Sequence, residues 1–314
     1  MNPSQLQQPF PLVSIVTPSY NMARYLPETL ESVLSQDYPR IEYIVMDGGS
    51  TDGTLEILES YKDRIRAISA PDRGAADAIT RGFAISHGDI VAWLNADDTY
   101  LPGAVTAAVR RLMAEPAIAA VYGQAYWVDG RGSVLRPYPT RPYAPGVLSY
   151  DCCICQPACF MRRAAFDHAG GLDISLQCSF DYDLWMRIAN HGGFVSIPDY
   201  LATSRMHSGN KTLGNRRQVF REGFLVLERH CGYIPFHWIH SYISYRRDKR
   251  DQYYDPLQPT ILNYCLSLPV GLAYNRRHIA RYCREWFGEM SYAGVLRAWR
   301  RSWFARMLQR FVRS

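Results

Sequence analysis

The sequence predicts an α/β fold: a mostly parallel central sheet with flanking helices, followed by a basic helical C-terminal tail. Three observations carry this. Apolar runs and amphipathic stretches alternate through the first 123 residues, as βα units require. Polar clusters follow several predicted strands, and in an open α/β sheet ligands bind beyond the carboxyl ends of strands. The chain of 314 residues, with 47% hydrophobic and 20% charged residues, is long and apolar enough to bury a sizeable core.

In order, Leu12 to Thr17 reads as a strand, Arg24 to Gln36 as a helix and Ile41 to Asp47 as a second strand. Ser50 or Thr51 is expected to cap a helix running to Lys62, because a hydroxyl there satisfies free N–H groups of the first turn. Ile65 to Ala70, Gly74 to His87 and Asp89 to Leu94 repeat the pattern of strand, helix and strand. Pro102 suits the first turn of a helix ending near Glu115, and Ile118 to Gly123 is a further strand. Asp129-Gly130-Arg131-Gly132 then reads as a hairpin turn, and Ser179 to Asn190 has helical spacing in Leu184, Trp185 and Ile188.

Charge divides the chain. Residues 1–215 hold 17 Lys+Arg and 22 Asp+Glu, whereas residues 216–314 hold 18 and 7. The last segment places Val295, Trp299, Trp303 and Phe311 at helical spacing with Arg297, Arg300, Arg306 and Arg310 largely between them. That pattern suits a helix lying on an anionic membrane surface, and Trp238 to Arg250 and Arg276 to Trp286 point the same way. A helix docked on the main domain with its arginines in water is the plainer alternative. No run reaches 18 apolar residues, and residues 1 to 11 show no basic start and apolar core of a secretory signal. The expectation is therefore a cytoplasmic protein, peripheral at the inner face of the cell membrane. Eight cysteines fit reduced thiols; Cys152, Cys153, Cys155 and Cys159 lack paired zinc spacing and are read as structural.

Three polar loops follow predicted strands: Pro18, Ser19, Tyr20 and Asn21; Asp47 to Asp52; and Asn95 to Asp98. The adjacent carboxylates Asp97 and Asp98 repel one another unless a cation or donor sits between them, which suggests Mg²⁺ or Mn²⁺. A divalent ion held by few carboxylates takes further ligands from phosphates and water, which points to a nucleoside diphosphate. Asp98 as a helix cap is the structural alternative. The absence of G-x-G-x-x-G after the first strand argues against a dinucleotide-dependent oxidoreductase.

These residues resemble the family 2 glycosyltransferases. The matching stretches are VSIVTPSYN (Val13 to Asn21), IVMDGGSTDGT (Ile44 to Thr54), GDIVAWLNADD (Gly88 to Asp98), FDYDLWMRIA (Phe180 to Ala189) and SRMHSGNKT (Ser204 to Thr212), within residues 10 to 230. The resemblance implies a GT-A fold at 11–230, after an N-terminal extension at 1–10 and before a tail at 231–314. It further implies inverting transfer from a nucleoside-diphosphate sugar, a UDP-sugar by expectation, to a saccharide or lipid-linked acceptor in cell-surface polysaccharide or glycolipid synthesis.

By resemblance, Pro18 and Tyr20 flank the nucleotide base, Asp47 accepts from it, and Asp77 shapes the nucleotide-sugar pocket. Asn95-Ala96-Asp97 stands where the family has Asp-x-Asp, so Asp97 binds the metal, Asp98 supports it and Asn95 bonds the ribose without adding charge. Asp181 matches the catalytic base, with Asp183 its competitor. His207 and Arg205 are expected in a mobile loop over the diphosphate, His207 as a metal ligand and Arg205 on phosphate oxygens. Gln156 is expected on the acceptor side. A nucleotidyltransferase and a non-catalytic glycan- or membrane-binding scaffold of the same fold are the alternatives; nucleic acid is not an expected partner.

Overall fold

The computed structural model describes residues 10–207, 209–249 and 260–289. The expected terminal membrane segment, residues 290–314, lies outside them, as does the N-terminal extension apart from Phe10. Two compact units divide at Val219 and Phe220, earlier than the expected boundary at 230.

The first unit is built on a nine-stranded sheet in the order β3-β2-β1-β4-β8-β6-β9-β5, with β7 paired to β6. Strands β1 (Val13–Ser19), β2 (Ile41–Asp47), β3 (Arg66–Ser69) and β4 (Ile90–Trp93) are parallel, with Val13 opposite both Ile41 and Ile90. Helices α1 (Leu26–Leu34), α2 (Thr54–Ser60) and α3 (Ala75–Ala84) make the crossovers. Beyond β4 the sheet is mixed, a refinement of the mostly parallel expectation. After β5 (Thr99–Tyr100) and α4 (Ala104–Ala114), β6 (Ala120–Val128) is antiparallel to β7 (Val134–Pro137) and β8 (Cys159–Arg162) but parallel to β9 (Phe194–Arg205). The β6–β7 turn is the expected one, with Gly132 N–H donating to the Asp129 carbonyl at 3.0 Å.

The expected cap of α2 is replaced. Gly53, at φ 93°, precedes the helix, and Asp52 rather than Ser50 or Thr51 accepts from the Thr54 N–H at 3.2 Å. Short helices α5 (Val147–Tyr150) and α6 (Arg163–His168) lead to α7 (Phe180–Ala189). Trp185 of α7 stacks on Trp93 at the end of β4, ring centroids 5.6 Å apart, and Phe180 lies 6.3 Å from Trp93. Burial of these rings fixes the start of α7 against the strand that leads into Asn95. After β9 the short helix α8 (Lys211–Gly214) precedes α9 (Arg216–Cys231), within which the first unit ends.

The second unit continues from Phe220 through α9 to α10 (Phe236–Asp248), α11 (Ile261–Tyr274) and α12 (Ile279–Glu289). In each of two segments expected on a membrane, a tryptophan packs within the unit. Trp238 packs where a Cβ on Gly223 would lie 2.6 Å from its ring, and the buried Trp286 donates to the Tyr264 carbonyl at 3.0 Å. No helix among the described residues is long and apolar enough to cross a membrane.

Candidate active site

The loops after β1 and β2 are stitched into one platform. Ser50 Oγ accepts from Asn21 N–H at 2.7 Å, Asn21 Oδ1 accepts from Thr51 N–H at 2.8 Å, and Asp52 accepts from Ala23 N–H at 3.0 Å. Asn21 sits at φ 53°, a left-handed conformation that asparagine tolerates. Asp47 is buried beneath the platform. Its Oδ2 accepts from the N–H groups of Gly49 and Ser50 and from Ser69 Oγ, whereas Oδ1 accepts only from Ser50 Oγ and keeps capacity for one more donor. Pro18 is buried in β1 opposite Met46, and Tyr20 is 60% exposed above it.

Gly48 has a local purpose. A Cβ there would meet Asp72 Oδ2 at 2.8 Å, so the missing side chain lets Asp72 approach the platform. Asp72 accepts from Gly74 N–H at 2.7 Å, and a Cβ on Gly74 would lie 2.8 Å from Gln177 Oε1. Asp77 accepts from Arg73 N–H at 3.1 Å and from its guanidinium at 3.2 Å. Burial acts against ionisation there, but the bonds from Arg73 prevail and hold the carboxyl below its ordinary range. Asp77 thus braces the loop carrying Asp72. Sequence reasoning missed Asp72 and Gln177; the signal was a glycine directly after Asp47.

The third loop is held from both sides. Thr29 of α1 donates to the carbonyls of Ala96 and Asp98 at 3.0 and 2.8 Å. Asn95 Nδ2 donates to Asp98 Oδ2 at 3.2 Å and to Gln156 Oε1 at 3.1 Å, so its Oδ1 can accept from a further donor. Gln156 Nε2 donates to the Trp93 carbonyl at 2.7 Å. Gln156 thus bridges Asn95 to the end of β4.

Asp98 is also internal. Its Oδ1 accepts from Arg205 N–H at 2.8 Å, and burial, with the charge of Asp97 beside it, pushes its carboxyl well above the usual range. Asp97 Oδ2 and His207 Nε2 meet at 3.0 Å, and the His207 ring lies 4.7 Å from that of Tyr25. A carboxylate and an imidazole converging at one point, beside a second carboxyl driven toward neutrality, suit a borderline divalent cation such as Mn²⁺. Among the described residues no group of three or more His, Cys, Asp or Glu side chains forms a complete cage, so phosphates and water would supply the rest.

Arg205 corrects the expectation. It is the last residue of β9, not part of a loop, and only 2% exposed. Its guanidinium pairs with Glu28 at 2.5 Å, donates from Nε to the Asp97 carbonyl at 2.8 Å and lies 5.0 Å over the Tyr25 ring. The guanidinium thus ties the Asn95–Asp98 loop to α1. Tyr25 and Glu28, missed in the sequence, complete this hub.

The two carboxylates of α7 separate cleanly. Asp183 is 1% exposed and bridged to the Arg187 guanidinium at 2.8 and 3.0 Å; Arg187 also donates to the Gly171 carbonyl at 2.7 Å. Asp183 is structural. Asp181 is half-buried, its Oδ1 accepting from Tyr182 N–H at 2.8 Å. The buried Cys155 thiol is driven up by burial and by the charges of both Asp98 and Asp181. The loop after β4 and the start of α7 therefore act on one shared point.

This geometry agrees with a family model. "Glycosyl transferase family 2" matches residues 14–170, half of the chain. The chain belongs to glycosyltransferase family 2. Among curated relatives of the family, an uncharacterized glycosyltransferase of Rickettsia felis is 30% identical over 225 residues, 66% of this chain and 36% of its own length. The chondroitin synthase of Escherichia coli is 27% identical over 206 residues, 65% of this chain and 30% of its own length. The chain thus spans about a third of the length of these two relatives. Among solved structures, S. aureus TarS in complex with UDP-GlcNAc superposes with a TM-score of 0.57 at 17% identity, covering 77% of this chain and 74% of that one. The mannosyltransferase PcManGT from Pyrobaculum calidifontis, in complex with GDP-Man and Mn²⁺, gives 0.55 at 22% identity, covering 72% and 69%. These likenesses show the GT-A fold for this family 2 chain.

Proposed function

We propose that the chain transfers a sugar from a nucleoside-diphosphate sugar, a UDP-sugar by preference, to a hydroxyl of a saccharide or lipid-linked acceptor, with inversion at the anomeric carbon. The observation that carries this reading is the pair of carboxylates on α7. Asp183 is buried and paired with Arg187, while Asp181, in the first turn of α7, is half-buried. Family membership and the polysaccharide synthases among the relatives support it.

Asp181 takes the proton of the acceptor hydroxyl as its oxygen forms the new bond to C1. The bond from C1 to the phosphate oxygen breaks on the opposite face, and the nucleoside diphosphate leaves with the electron pair. Tyr20 and the free acceptor capacity of Asp47 Oδ1 serve the base, and Asn95 Oδ1 serves the ribose. Asp97 and His207 would hold a Mg²⁺ or Mn²⁺ ion, which when bound offsets the charge growing on the leaving diphosphate. The acceptor proposal extends to the membrane: the basic C-terminal part would keep the chain at the inner face of the cell membrane, near lipid-linked substrates.

Thermal stabilisation by a panel of nucleotide sugars, with and without Mn²⁺, tests donor and cation together. Product analysis then decides the reaction. Release of nucleoside diphosphate with an inverted anomer upholds the proposal; release of pyrophosphate would make the chain a nucleotidyltransferase, and binding without turnover across a broad acceptor panel would make it a scaffold.

A further inference from the structure

Helix α11 is built inside out. Its buried residues are Asn263, Tyr264, Ser267 and Gly271, continued by Asn275 just past its end. Leu262, Cys265, Leu266, Pro269 and Ala273 are exposed, and they recur at i, i+3, i+4, i+7 and i+11, one stripe of an α-helix. Leu262 is 52% exposed. The 14 residues include no charged side chain, so a face about 21 Å long meets solvent with nothing ionised on it.

The helix cannot simply roll to hide that stripe, because hydrogen bonds fix its polar side. Asn263 Nδ2 donates to Ser244 Oγ at 2.9 Å, and Arg247 donates to Asn263 Oδ1. Trp286 Nε1 donates to Ser267 Oγ at 3.1 Å and Tyr282 Oη to the Ser267 carbonyl at 2.9 Å. Asn275 Nδ2 donates to the Ile234 carbonyl at 2.9 Å, while its Oδ1 accepts from Ile234 N–H at 2.8 Å. Rotation would bury leucines at the expense of several hydrogen bonds and leave their partners unpaired.

The charge next to the stripe selects its occupant. Arg276 and Arg277 lie exposed in the turn just past the C-terminal end of α11. Glu285 of α12 is turned inward to the Tyr233 hydroxyl and to the Phe236 N–H at 3.1 Å. An anionic bilayer offers hydrocarbon to the leucines and phosphate to the guanidiniums at once.

We propose that α11 is a membrane-docking surface, its leucine stripe entering the headgroup boundary of an anionic bilayer while Arg276 and Arg277 at its C-terminal end meet lipid phosphates. This deepens the membrane part of the preceding proposal, moving the contact from the segment at 290–314 to a packed helix, and it does not depend on the transfer chemistry.

The test is flotation of the full chain with phosphatidylcholine vesicles, with or without about 30% phosphatidylglycerol, alongside transfer to a soluble acceptor and sedimentation without lipid. The chain should float only with the anionic vesicles. Leu262→Glu combined with Leu266→Glu should lower partitioning by about tenfold or more, and the milder Leu262→Ala with Leu266→Ala by roughly threefold, both at unchanged soluble transfer. Three results would overturn the inference: no flotation of the native chain, equal flotation of native chain and both leucine variants, or a native dimer that those variants dissociate. Failure of transfer by every form, with flotation behaving as described, would strike the reaction proposal and leave this one standing.

Discussion

Helix α11 of the second unit inverts the pattern of α1 and α3 in the first. In the first, α1 buries Leu26, Leu30 and Val33, and α3 buries Ala76, Ala78, Ile79 and Phe83, so cohesion is apolar and the polar groups gather at the strand ends where ligands bind. In the second, α11 buries Asn263, Tyr264 and Ser267 and turns leucines outward. A hydrophobic core leaves its chemistry at a rim. A helix held by hydrogen bonds on its inner side leaves its apolar face for something else to cover. The same contrast recurs at small scale in α7, where the buried Asp183 is paired with Arg187 and the half-buried Asp181, two residues away, is the proposed base.

That local contrast gives the largest expected effects. Asp181→Asn should lower transfer by about 10³-fold, as loss of a general base does, with the melting temperature and nucleotide binding nearly unchanged. Asp183→Asn should do the reverse: it strands the Arg187 guanidinium and costs roughly 3 kcal/mol of stability, with transfer per folded molecule largely kept. Kinetics and denaturant melts on the pair check both, and equal loss of activity in the two would erase the distinction. Trp185→Ala comes next. Removing the ring stacked on Trp93 should cost roughly 3–5 kcal/mol in urea titrations and, by loosening the start of α7, impair transfer at temperatures where the chain is still folded.

What the sequence made legible follows from what periodicity and spacing encode. Ile41 to Asp47 was readable as a strand to both ends because a run of β-branched and apolar residues stops at an aspartate and glycines. Asp97 and His207 were found as separate motifs, and the fold brings them to 3.0 Å. Arg205 was misjudged because a motif marks position and charge but not burial; only the packed structure shows Glu28 and Tyr25 enclosing it. Ser50 looked like a cap because hydroxyls before a helix usually are, yet here it bonds to Asp47 and accepts from Asn21 N–H. The inversion of α11 was invisible for a related reason: an apolar stripe reads the same whether it faces a core or solvent.

Gly271 sharpens the contrast between the units. Glycine inside a helix ordinarily costs up to about 1 kcal/mol relative to alanine, so Gly271→Ala would be a stabilising change in a solvent-facing position. Here the added Cβ would fall within the Tyr282 ring, whose hydroxyl is already committed to the Ser267 carbonyl. The sign should reverse, with a loss of roughly 2 kcal/mol in chemical denaturation. A neutral or stabilised variant would mean that the polar side of α11 is not closely packed.

The smallest effect tests whether the second unit tolerates charge in its core. His240 lies between Phe236 and Tyr264, with ring centroids 5.4 and 5.0 Å away and Nε2 unpaired, and burial pushes its pKa down to about 4. Unfolded histidine titrates near 6.5, so between these values the unfolded chain binds the proton and the folded chain does not. The folded-state value is the depressed one; the contribution is complete above about pH 6.5 and is lost as the pH falls toward 4. From about pH 7 to pH 5 that loss should approach 2 kcal/mol. His240→Phe preserves an aromatic ring and removes the proton site, so the stability difference between those two pH values should shrink by most of that amount. An equal acid sensitivity in the variant would show that His240 is reached by water or a counter-charge, and that the core around α10 and α11 is looser than its hydrogen bonds imply.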